Sequence, residues 1–323
     1  MVPISFGREM GNELVVYGWD NLSTNDGPGV RFALYLKGCS LNCPWCLNPY
    51  LQKVEPEIRW KSETCVCDDL CIDSCKYGAL QRENEHIVID YNNCNFCGSC
   101  WNSCTTNSLK PVGEYISIDR IVSIVIQETV PQVPPRKVTI GGGEPLLQGE
   151  ATINLIHRFK EEGIEVYLTT CAGITDRDVW ARAIDLVDGV LLHILTVDES
   201  EWRELGGMSY ESFLRNVYHL KVSSKPVCIR MPVIPGYTDS IQKVRSLLGF
   251  VKENIPLVLE MDLRVYTPNS RFSSPMFKLK EKTLTTEQIL ELCEAIKKLG
   301  IEKVHWRGSA RKITEYHKMN GKD

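Results

Sequence analysis

Residues 31–46 read RFALYLKGCSLNCPWC, an apolar run followed directly by three closely spaced cysteines, Cys39, Cys43 and Cys46. The run RFALYLK is typical of a strand, so the cysteines belong to the loop that leaves its carboxyl end. A structural zinc site normally takes four ligands, and a ferredoxin cluster takes four cysteines. Three thiolates without a nearby fourth cysteine predict a four-iron cluster with one open iron, which can bind a further ligand.

Beyond residue 113 the sequence alternates between strand-like and helix-like segments. Strands are predicted at 137–141, 164–169, 188–195, 226–231, 257–265 and 301–306, and helices at 119–129, 150–162, 176–186, 209–222, 240–253 and 285–299. Parallel strands joined by helices form either a doubly wound sheet or a complete or partial barrel. Such enzymes build their sites at the carboxyl ends of the strands. Here those ends carry the cysteine loop, Gly141–Glu144 and Thr169–Gly173.

Composition limits the classes of partner. The chain has 323 residues, of which 43% are hydrophobic and 24% charged, and its formal net charge is -4. Without a basic excess, neither nucleic acid nor an anionic membrane is an expected partner. No apolar stretch approaches the ~20 residues that span a bilayer, and the start MVPISFGREM lacks the apolar core of a signal peptide. We therefore expect a cytoplasmic protein.

The spacing of the cysteines indicates metal rather than disulfides. Eleven of the fourteen lie between Cys39 and Cys104, at short intervals, in a chain for which no signal peptide is predicted. The other three, Cys171, Cys228 and Cys293, stand singly, as small buried apolar side chains do. We assign them no cluster.

Residues 60–112, called here the cysteine-rich segment, form an insertion that is poor in long apolar periodicity. Its second half has the CxxCxxCxxxC spacing of a bacterial ferredoxin, in which the fourth cysteine ligates the other cluster. Its first half keeps only the final CxxxC. By the ferredoxin crossover, the two predicted ligand sets are Cys65, Cys67 and Cys71 with Cys104, and Cys94, Cys97 and Cys100 with Cys75. A pair of zinc sites is the alternative.

Three motifs together resemble the radical SAM superfamily, and within it the activases of glycyl radical enzymes that carry a two-cluster ferredoxin insert. The motifs are STNDGPGVRFALYLKGCSLNCPWCLNP at 23–49, VTIGGGEPLLQ at 138–148 and CIRMPVIPGYTD at 228–239. The resemblance implies an α/β fold: a partial (β/α)6 barrel of the TIM type with an inserted ferredoxin-like domain. The implied divisions are 1–59 and 113–323 for the core and 60–112 for the insert.

The resemblance also implies cofactors. The three cysteines of the loop would hold a [4Fe–4S] cluster whose open iron chelates S-adenosylmethionine (SAM), and the segment 60–112 would hold two auxiliary [4Fe–4S] clusters. Gly142 and Gly143 would let backbone approach the methionine portion of SAM, and Glu144 would accept from its ammonium. Thr169, Thr170 and Cys171 stand where relatives have an acidic or small polar group that contacts the ribose. Arg230 could present a fork to a carboxylate. The alternatives are a tight turn for the glycines and a surface salt bridge for Arg230.

The implied reaction is reductive cleavage of SAM to a 5′-deoxyadenosyl radical, which takes a hydrogen atom from a glycine of a partner glycyl radical enzyme. The electron would come from a donor such as ferredoxin or flavodoxin, in an anaerobic host. One rival is a radical SAM enzyme that modifies another peptide or a small molecule. The other is an electron-transfer or binding protein that has lost SAM cleavage.

Several positions depart from the activase pattern. His193 and Leu195 stand where relatives have a DxK pair, and Thr169 replaces an expected carboxylate. Val265 and Tyr266 stand near the place of a usual Tyr-His pair. These changes surround the predicted SAM and substrate sites, so they favour a change of target, and the monovalent cation of such relatives is not expected with these residues.

Overall fold

The computed structural model describes residues 11–46, 48–129, 136–205, 208–266, 285–298 and 300–307. Its strands are β1 (Glu13–Ser23), β2 (Arg31–Leu36), β3 (Glu57–Trp60), β4 (Leu80–Glu83), β5 (His86–Ile89), β6 (Leu109–Val112), β7 (Glu114–Ser117), β8 (Lys137–Gly142), β9 (Glu165–Thr170), β10 (Gly189–His193), β11 (Val227–Val233), β12 (Val258–Val265) and β13 (Val304–Arg307). Its helices are α1 (Leu70–Asp73), α2 (Ser99–Asn102), α3 (Ile118–Glu128), α4 (Glu150–Glu161), α5 (Arg177–Leu186), α6 (Glu199–Leu205), α7 (Tyr210–Ser223), α8 (Ile241–Asn254) and α9 (Thr286–Lys297). Both ends of the predicted core division, 1–10 and 308–323, and residue 299 of the last predicted helix lie outside the described residues.

In the described part of the chain, nine strands form one mixed sheet in the order β13-β12-β11-β10-β9-β8-β2-β1-β7. From β2 to β13 neighbouring strands are parallel, whereas β1 is antiparallel to both β2 and β7. The predicted α/β class is confirmed. The sequence analysis missed β1, β7 and the short helix α6.

The two faces of the sheet differ in chemistry. Leu34, Ile140 and Leu168 point to the face that the helices cover, where they join one large apolar core with helix residues such as Phe159. Since side chains alternate along a strand, the intervening positions share the opposite face. That face carries the buried polar side chains Arg31, Thr139, Thr169, Arg230 and Asp262.

Helix starts are fixed by side-chain caps. Asp176 accepts from the N–H groups of Asp178 and Val179 at the start of α5, and Thr285 forms a capping box with Gln288 at the start of α9. Such caps satisfy donors that have no partner inside the helix. They fix the residue at which each of these helices begins.

The cysteine-rich segment, together with the adjoining strand β3, has separate sheets and a separate core. β3 pairs with β6 and β4 with β5, both antiparallel. Its buried apolar side chains are Ile58, Ala79, Leu80, Ile87 and Leu109, with Cys71 and Cys100 among them. None of the helices described here has the length and apolarity that crossing a membrane requires.

Candidate active site

The loop that carries Cys39, Cys43 and Cys46 follows β2 and is fastened to the backbone around it. The N–H of Gly38 donates to the carbonyl of Leu51 over 2.8 Å, and the N–H of Cys46 donates to the carbonyl of Cys43 over 3.0 Å. Because β2 and its parallel neighbours end at one edge of the sheet, the loop lies beside the ends of β8 and β9.

The three thiols share one environment. Burial raises the pKa of Cys39 and of Cys43 to about 12 and also raises the pKa of Cys46. Negative charge on Glu144 and Cys46 raises the pKa of Cys39 further, so these side chains lie within electrostatic reach of one another. Buried thiols stay protonated until a bound metal supplies positive charge. Among the described residues, no three His, Cys, Asp or Glu side chains converge closely enough to hold a single metal ion.

Gly142 and Gly143 lie against the backbone of β2 and the cysteine loop. Gly142 has a φ of 109°, and a Cβ on it would be 2.3 Å from the carbonyl oxygen of Leu36. A Cβ on Gly143 would be 2.1 Å from the carbonyl oxygen of Gly38. Both distances are far below contact, so no other residue fits without moving the backbone. The glycines thus have a packing reason within the chain, and their predicted contact with SAM stays a prediction.

Glu144 is 1% exposed and its carboxylate faces donors of the chain. One oxygen accepts from the Thr170 hydroxyl over 2.8 Å and from the Cys171 N–H over 3.1 Å. Burial raises the pKa of Glu144 to about 7, although the bonds from Thr170, Cys171 and Leu146 oppose the shift. The site therefore holds a carboxylate that is only partly compensated, next to three thiols.

Cys171 belongs to this neighbourhood; the sequence analysis placed it among the residues after β9 but assigned it no cluster. Burial raises the pKa of its thiol well above the usual value, and nearby charge on Glu144, Cys39, Cys43 and Cys46 adds to the effect. Its position directly after β9 is the one sequence signal that pointed to the site, because β9 ends at the same edge as β2.

Arg230 is 6% exposed and makes contacts inside the chain. Its Nη1 lies 3.3 Å from Oδ1 of Asp26, its Nη2 donates to the carbonyl of Asn25, and its Nε lies 4.0 Å from Oδ2 of Asp262. Burial and the charge of Arg264 lower the pKa of Arg230 to about 10, against the pull of the two carboxylates. The salt bridge is buried rather than at the surface, and a contact with SAM stays a prediction.

Asp26 connects the 23–30 segment to this face of the sheet. Burial pushes the pKa of Asp26 upward, but the Arg230 guanidinium and the hydroxyls of Ser23 and Tyr35 outweigh it and hold that pKa below the usual value. The hydroxyl of Ser23 donates over 2.6 Å and that of Tyr35 over 2.9 Å. The sequence analysis quoted this segment but gave Asp26 no role, since its partner is 204 positions away.

The departures from the activase pattern at Thr169, His193 and Leu195 lie at or just after the ends of β9 and β10. His193 is beside Arg230 in the parallel register, and its buried Nε2 has no hydrogen-bond partner among the described residues. Burial, together with the charges of Arg230 and Arg264, lowers the pKa of His193 to about 3, so the imidazole is neutral. Leu195 and Thr169 are both 8% exposed. The histidine is therefore a neutral, shielded polar group on the polar face.

The cysteines of the cysteine-rich segment fall into two groups. Negative charge on Cys104 and Cys65 raises the pKa of Cys71 beyond the effect of burial, whereas charge on Cys94 and Cys75 does so for Cys100. Sulfur atoms at equivalent places accept backbone N–H groups: Cys75 from Ala79 over 3.3 Å and Cys104 from Ser108 over 3.2 Å.

A cleft of about 940 Å³ lies elsewhere, between the β1–β7 edge and the cysteine-rich segment. Trp19, Tyr91, Cys94 and Tyr115 are among the residues that line it. It contains none of the residues at the carboxyl ends of β8, β9 and β11. The predicted SAM site and this cleft are therefore different places.

Comparison with protein families agrees with the site. Residues 88–248 match the radical SAM superfamily, and residues 25–76 match the 4Fe-4S single cluster domain. The second match contains the cysteine loop. Together they indicate a [4Fe–4S] cluster and SAM as cofactors.

The curated relatives are activating enzymes. The isethionate sulfite-lyase activating enzyme of Nitratidesulfovibrio vulgaris is 30% identical over 74% of this chain and 80% of its own. The choline trimethylamine-lyase activating enzyme of Oleidesulfovibrio alaskensis is 31% identical over 74% of this chain and 78% of its own. The 4-hydroxyphenylacetate decarboxylase activating enzyme of Clostridioides difficile is 29% identical over 75% of this chain and 79% of its own. This chain belongs to the radical SAM superfamily and, within it, to the glycyl radical enzyme activating enzymes.

Solved structures resemble the chain more distantly. A domain of the pyruvate-formate lyase-activating enzyme from Bacteroides vulgatus is 19% identical, with a TM-score of 0.45 over 53% of this chain and 98% of that chain. SuiB of Streptococcus suis bound to S-adenosylmethionine is 19% identical, with a TM-score of 0.48 over 62% of this chain and 44% of that chain.

Proposed function

We propose that this chain activates a partner glycyl radical enzyme by removing a hydrogen atom from one of its glycines. The observation that carries the proposal is the cysteine loop fastened beside Glu144, at the edge where the parallel strands end. The N–H of Glu144 donates to the carbonyl of Gly38 over 2.7 Å, so the segment that carries the buried carboxylate is hydrogen-bonded to the residue that precedes Cys39. When bound, the cluster and SAM supply the 5′-deoxyadenosyl radical.

The residues of the candidate site fit a [4Fe–4S] cluster and SAM. Cys39, Cys43 and Cys46 are soft sulfur ligands, as iron–sulfur clusters require. Glu144 would accept from the ammonium of SAM, which would give its buried charge a partner. Thr170 would orient that carboxylate, and Gly142 and Gly143 would keep it next to the loop. Arg230 would fix the 23–30 segment, through Asp26, on the polar face.

We further propose two auxiliary [4Fe–4S] clusters in the cysteine-rich segment. The two groups of mutually influencing thiols, one around Cys71 and Cys104 and the other around Cys75 and Cys100, support the ferredoxin crossover. An electron from ferredoxin or flavodoxin would pass through them. The divisions 1–59, 60–112 and 113–323 and the partial (β/α)6 barrel with this insert are part of the same proposal, as is the cytoplasmic location.

The partner is proposed by its class. The relatives named above activate lyases and decarboxylases of different substrates, so family membership supports a glycyl radical enzyme without deciding which one. The enzyme encoded beside this gene is the first candidate. Neither a nucleic acid nor a membrane is an expected partner.

A second candidate function is modification of another peptide or a small molecule by the same radical. The neutral His193, whose Nε2 has no partner within the described part of the chain, stands in the place of an acidic residue of relatives and is the observation that favours it. A changed polar group on that face is where a changed substrate would be recognised.

The test is anaerobic incubation of reconstituted protein with SAM and dithionite, with 5′-deoxyadenosine measured by chromatography. The wild-type protein should form it, and Cys43→Ala should not. Cys293→Ala, which removes a buried cysteine on α9, is the matched control and should retain activity. No product from protein with full iron content, even after addition of the partner, would reject radical formation and favour an electron carrier.

A further inference from the structure

The cysteine-rich segment is an internal repeat. β3 begins at residue 57 and β5 at residue 86, 29 residues later; the same interval separates α1 from α2 and β4 from β6. The pairing of β3 with β6 and of β4 with β5 follows the same symmetry, since each half contributes one strand to each sheet.

Unusual backbone conformations repeat at the same interval. Cys67 and Phe96 have φ values of 57° and 61°, and Asp69 and Gly98 have φ values of 59° and 88°. Non-glycine residues adopt positive φ rarely, so two matched pairs indicate one loop conformation used twice. The N–H···S bonds to Cys75 and Cys104 repeat in the same way.

The repeat aligns three cysteine pairs but not the fourth. Cys65 matches Cys94, Cys71 matches Cys100 and Cys75 matches Cys104. The remaining ligand of the second half, Cys97, matches Asp68 instead of Cys67. Cys67 matches Phe96, which is not a ligand.

The surroundings of Asp68 and Cys97 agree with this alignment. The hydroxyl of Thr105 donates to Oδ2 of Asp68 over 3.1 Å, and Lys76 lies within electrostatic reach of Cys97. Lys76 and Thr105 are themselves equivalent, because each directly follows the last cysteine of its half. Both Asp68 and Cys97 are exposed.

Cys67 has a different neighbour. The side chain of Arg82 hydrogen-bonds Asp69 over 2.7 Å, and its positive charge lies within electrostatic reach of Cys67. The guanidinium of Arg82 is therefore the neighbour of Cys67, whereas Asp68 contacts Thr105, the residue that follows Cys104 in the chain.

We infer that Asp68, and not Cys67, is the fourth ligand of the auxiliary cluster held by Cys65, Cys71 and Cys104. This rests on the proposed auxiliary clusters. A carboxylate is a harder ligand than a thiolate and is suited to iron as well as to lighter cations, but it holds iron less firmly in a sulfur-ligated cluster. The bond from Thr105 would orient the ligating carboxylate, as outer hydrogen bonds do at metal sites. The two auxiliary clusters would then differ in stability towards oxidation.

The test uses the full-length chain with Cys39, Cys43 and Cys46 changed to alanine, so that only auxiliary clusters bind. After anaerobic reconstitution, iron and sulfide are measured, and EPR follows the [3Fe–4S] signal that appears when mild ferricyanide oxidation releases one iron. We expect iron for two clusters and a signal from about one cluster per chain. Asp68→Cys should remove most of that signal, and Cys67→Ser should change neither iron content nor signal.

Cys97→Asp is the matched control, because it gives the second half the ligand proposed for the first. It should raise the signal about twofold. Asp68→Ala should release the iron without oxidant. If Cys67→Ser loses about half of the iron while Asp68→Cys leaves the signal unchanged, the ligand is Cys67 and the inference is wrong. If the parent chain binds no auxiliary iron at all, the proposal of two clusters fails instead, and the inference with it.

Discussion

At the scale of single residues, Glu144 illustrates a conflict between stability and ligand binding. Its carboxylate is buried, and three donors of the chain compensate its charge only in part, so the pKa rises to about 7. A carboxyl group whose pKa is raised by folding destabilises the folded state at any pH at which the group is ionised in the unfolded chain. The reason is that ionisation is less favourable in the folded chain than in the unfolded one. The destabilisation begins above the usual pKa of glutamate and is complete above about pH 7.

We therefore expect Glu144→Gln to stabilise the SAM-free protein by about 1–3 kcal/mol at pH 8, and by less as the pH falls towards 5. The same change should weaken SAM binding, because the ammonium loses its charged acceptor. Denaturant unfolding across pH and equilibrium binding of SAM measure the two effects. Glu162→Gln, at an exposed position after α4, should change neither. Unchanged SAM affinity in Glu144→Gln would remove Glu144 from the binding site.

Sequence motifs predicted some of these residues and missed others for a physical reason. The cysteine loop and Glu144 stand in short contiguous motifs, which a single sequence displays directly. The packing role of Gly142 against Leu36, and the approach of Cys171 to the thiols, depend on which strands become neighbours. That information is not local in the chain.

At the scale of elements, the 23–30 segment is held on the polar face by the ion pair between Asp26 and Arg230 of β11. Arg230 and Asp26 are 8% and 15% exposed at their side chains, and removal of one partner leaves a buried charge without compensation. Such losses cost about 3–5 kcal/mol, whereas loss of both partners costs less than the sum.

We accordingly expect Asp26→Asn and Arg230→Gln each to lower the free energy of unfolding by about 3 kcal/mol, with a coupling energy above about 1 kcal/mol in the double variant. Denaturant titration of the four proteins measures it. The exposed pair Glu150–Arg182 is the control cycle, where the coupling should stay below about 1 kcal/mol. Additive effects of Asp26→Asn and Arg230→Gln would contradict the ion pair.

Element prediction succeeded where periodicity was strong. Each predicted strand beyond residue 113 coincides with one of β8 to β13, and each predicted helix there with α3, α4, α5, α7, α8 or α9, with ends shifted by a few residues. β1 was missed because Gly18, Asp20 and Asn21 interrupt its alternation, and it forms only through antiparallel pairing with β2 and β7. Helix α6 is too short for its period to register.

At the scale of the whole molecule, one chain contains two hydrophobic cores of unequal size. The main core spans the sheet and its helices, whereas the core of the cysteine-rich segment consists of few apolar side chains with cysteines among them. If it holds the proposed auxiliary clusters, a module whose core is this small would depend on them for folding. The order of the sheet, with β2 between β1 and β8, and the repeat of the segment are properties of the assembled chain and could not be derived from single motifs.

Removal of iron should consequently unfold the cysteine-rich segment and leave the main sheet folded. In hydrogen exchange, β3 to β6 should lose protection by about tenfold or more, while β8 to β11 change little. Cys100→Ser should reproduce the effect, and Cys293→Ser, at another buried cysteine, should not. Equal loss of protection in both parts would show that they share one cooperative core.

The central claim concerns the destination of the radical, and one measurement addresses it most directly. The partner glycyl radical enzyme is prepared with glycine deuterated at Cα and incubated anaerobically with this protein, SAM and a reductant. The account predicts deuterium in the 5′-deoxyadenosine, together with an EPR signal of a glycyl radical on the partner. 5′-Deoxyadenosine that carries no deuterium, with no radical on the partner, would contradict activation of that enzyme.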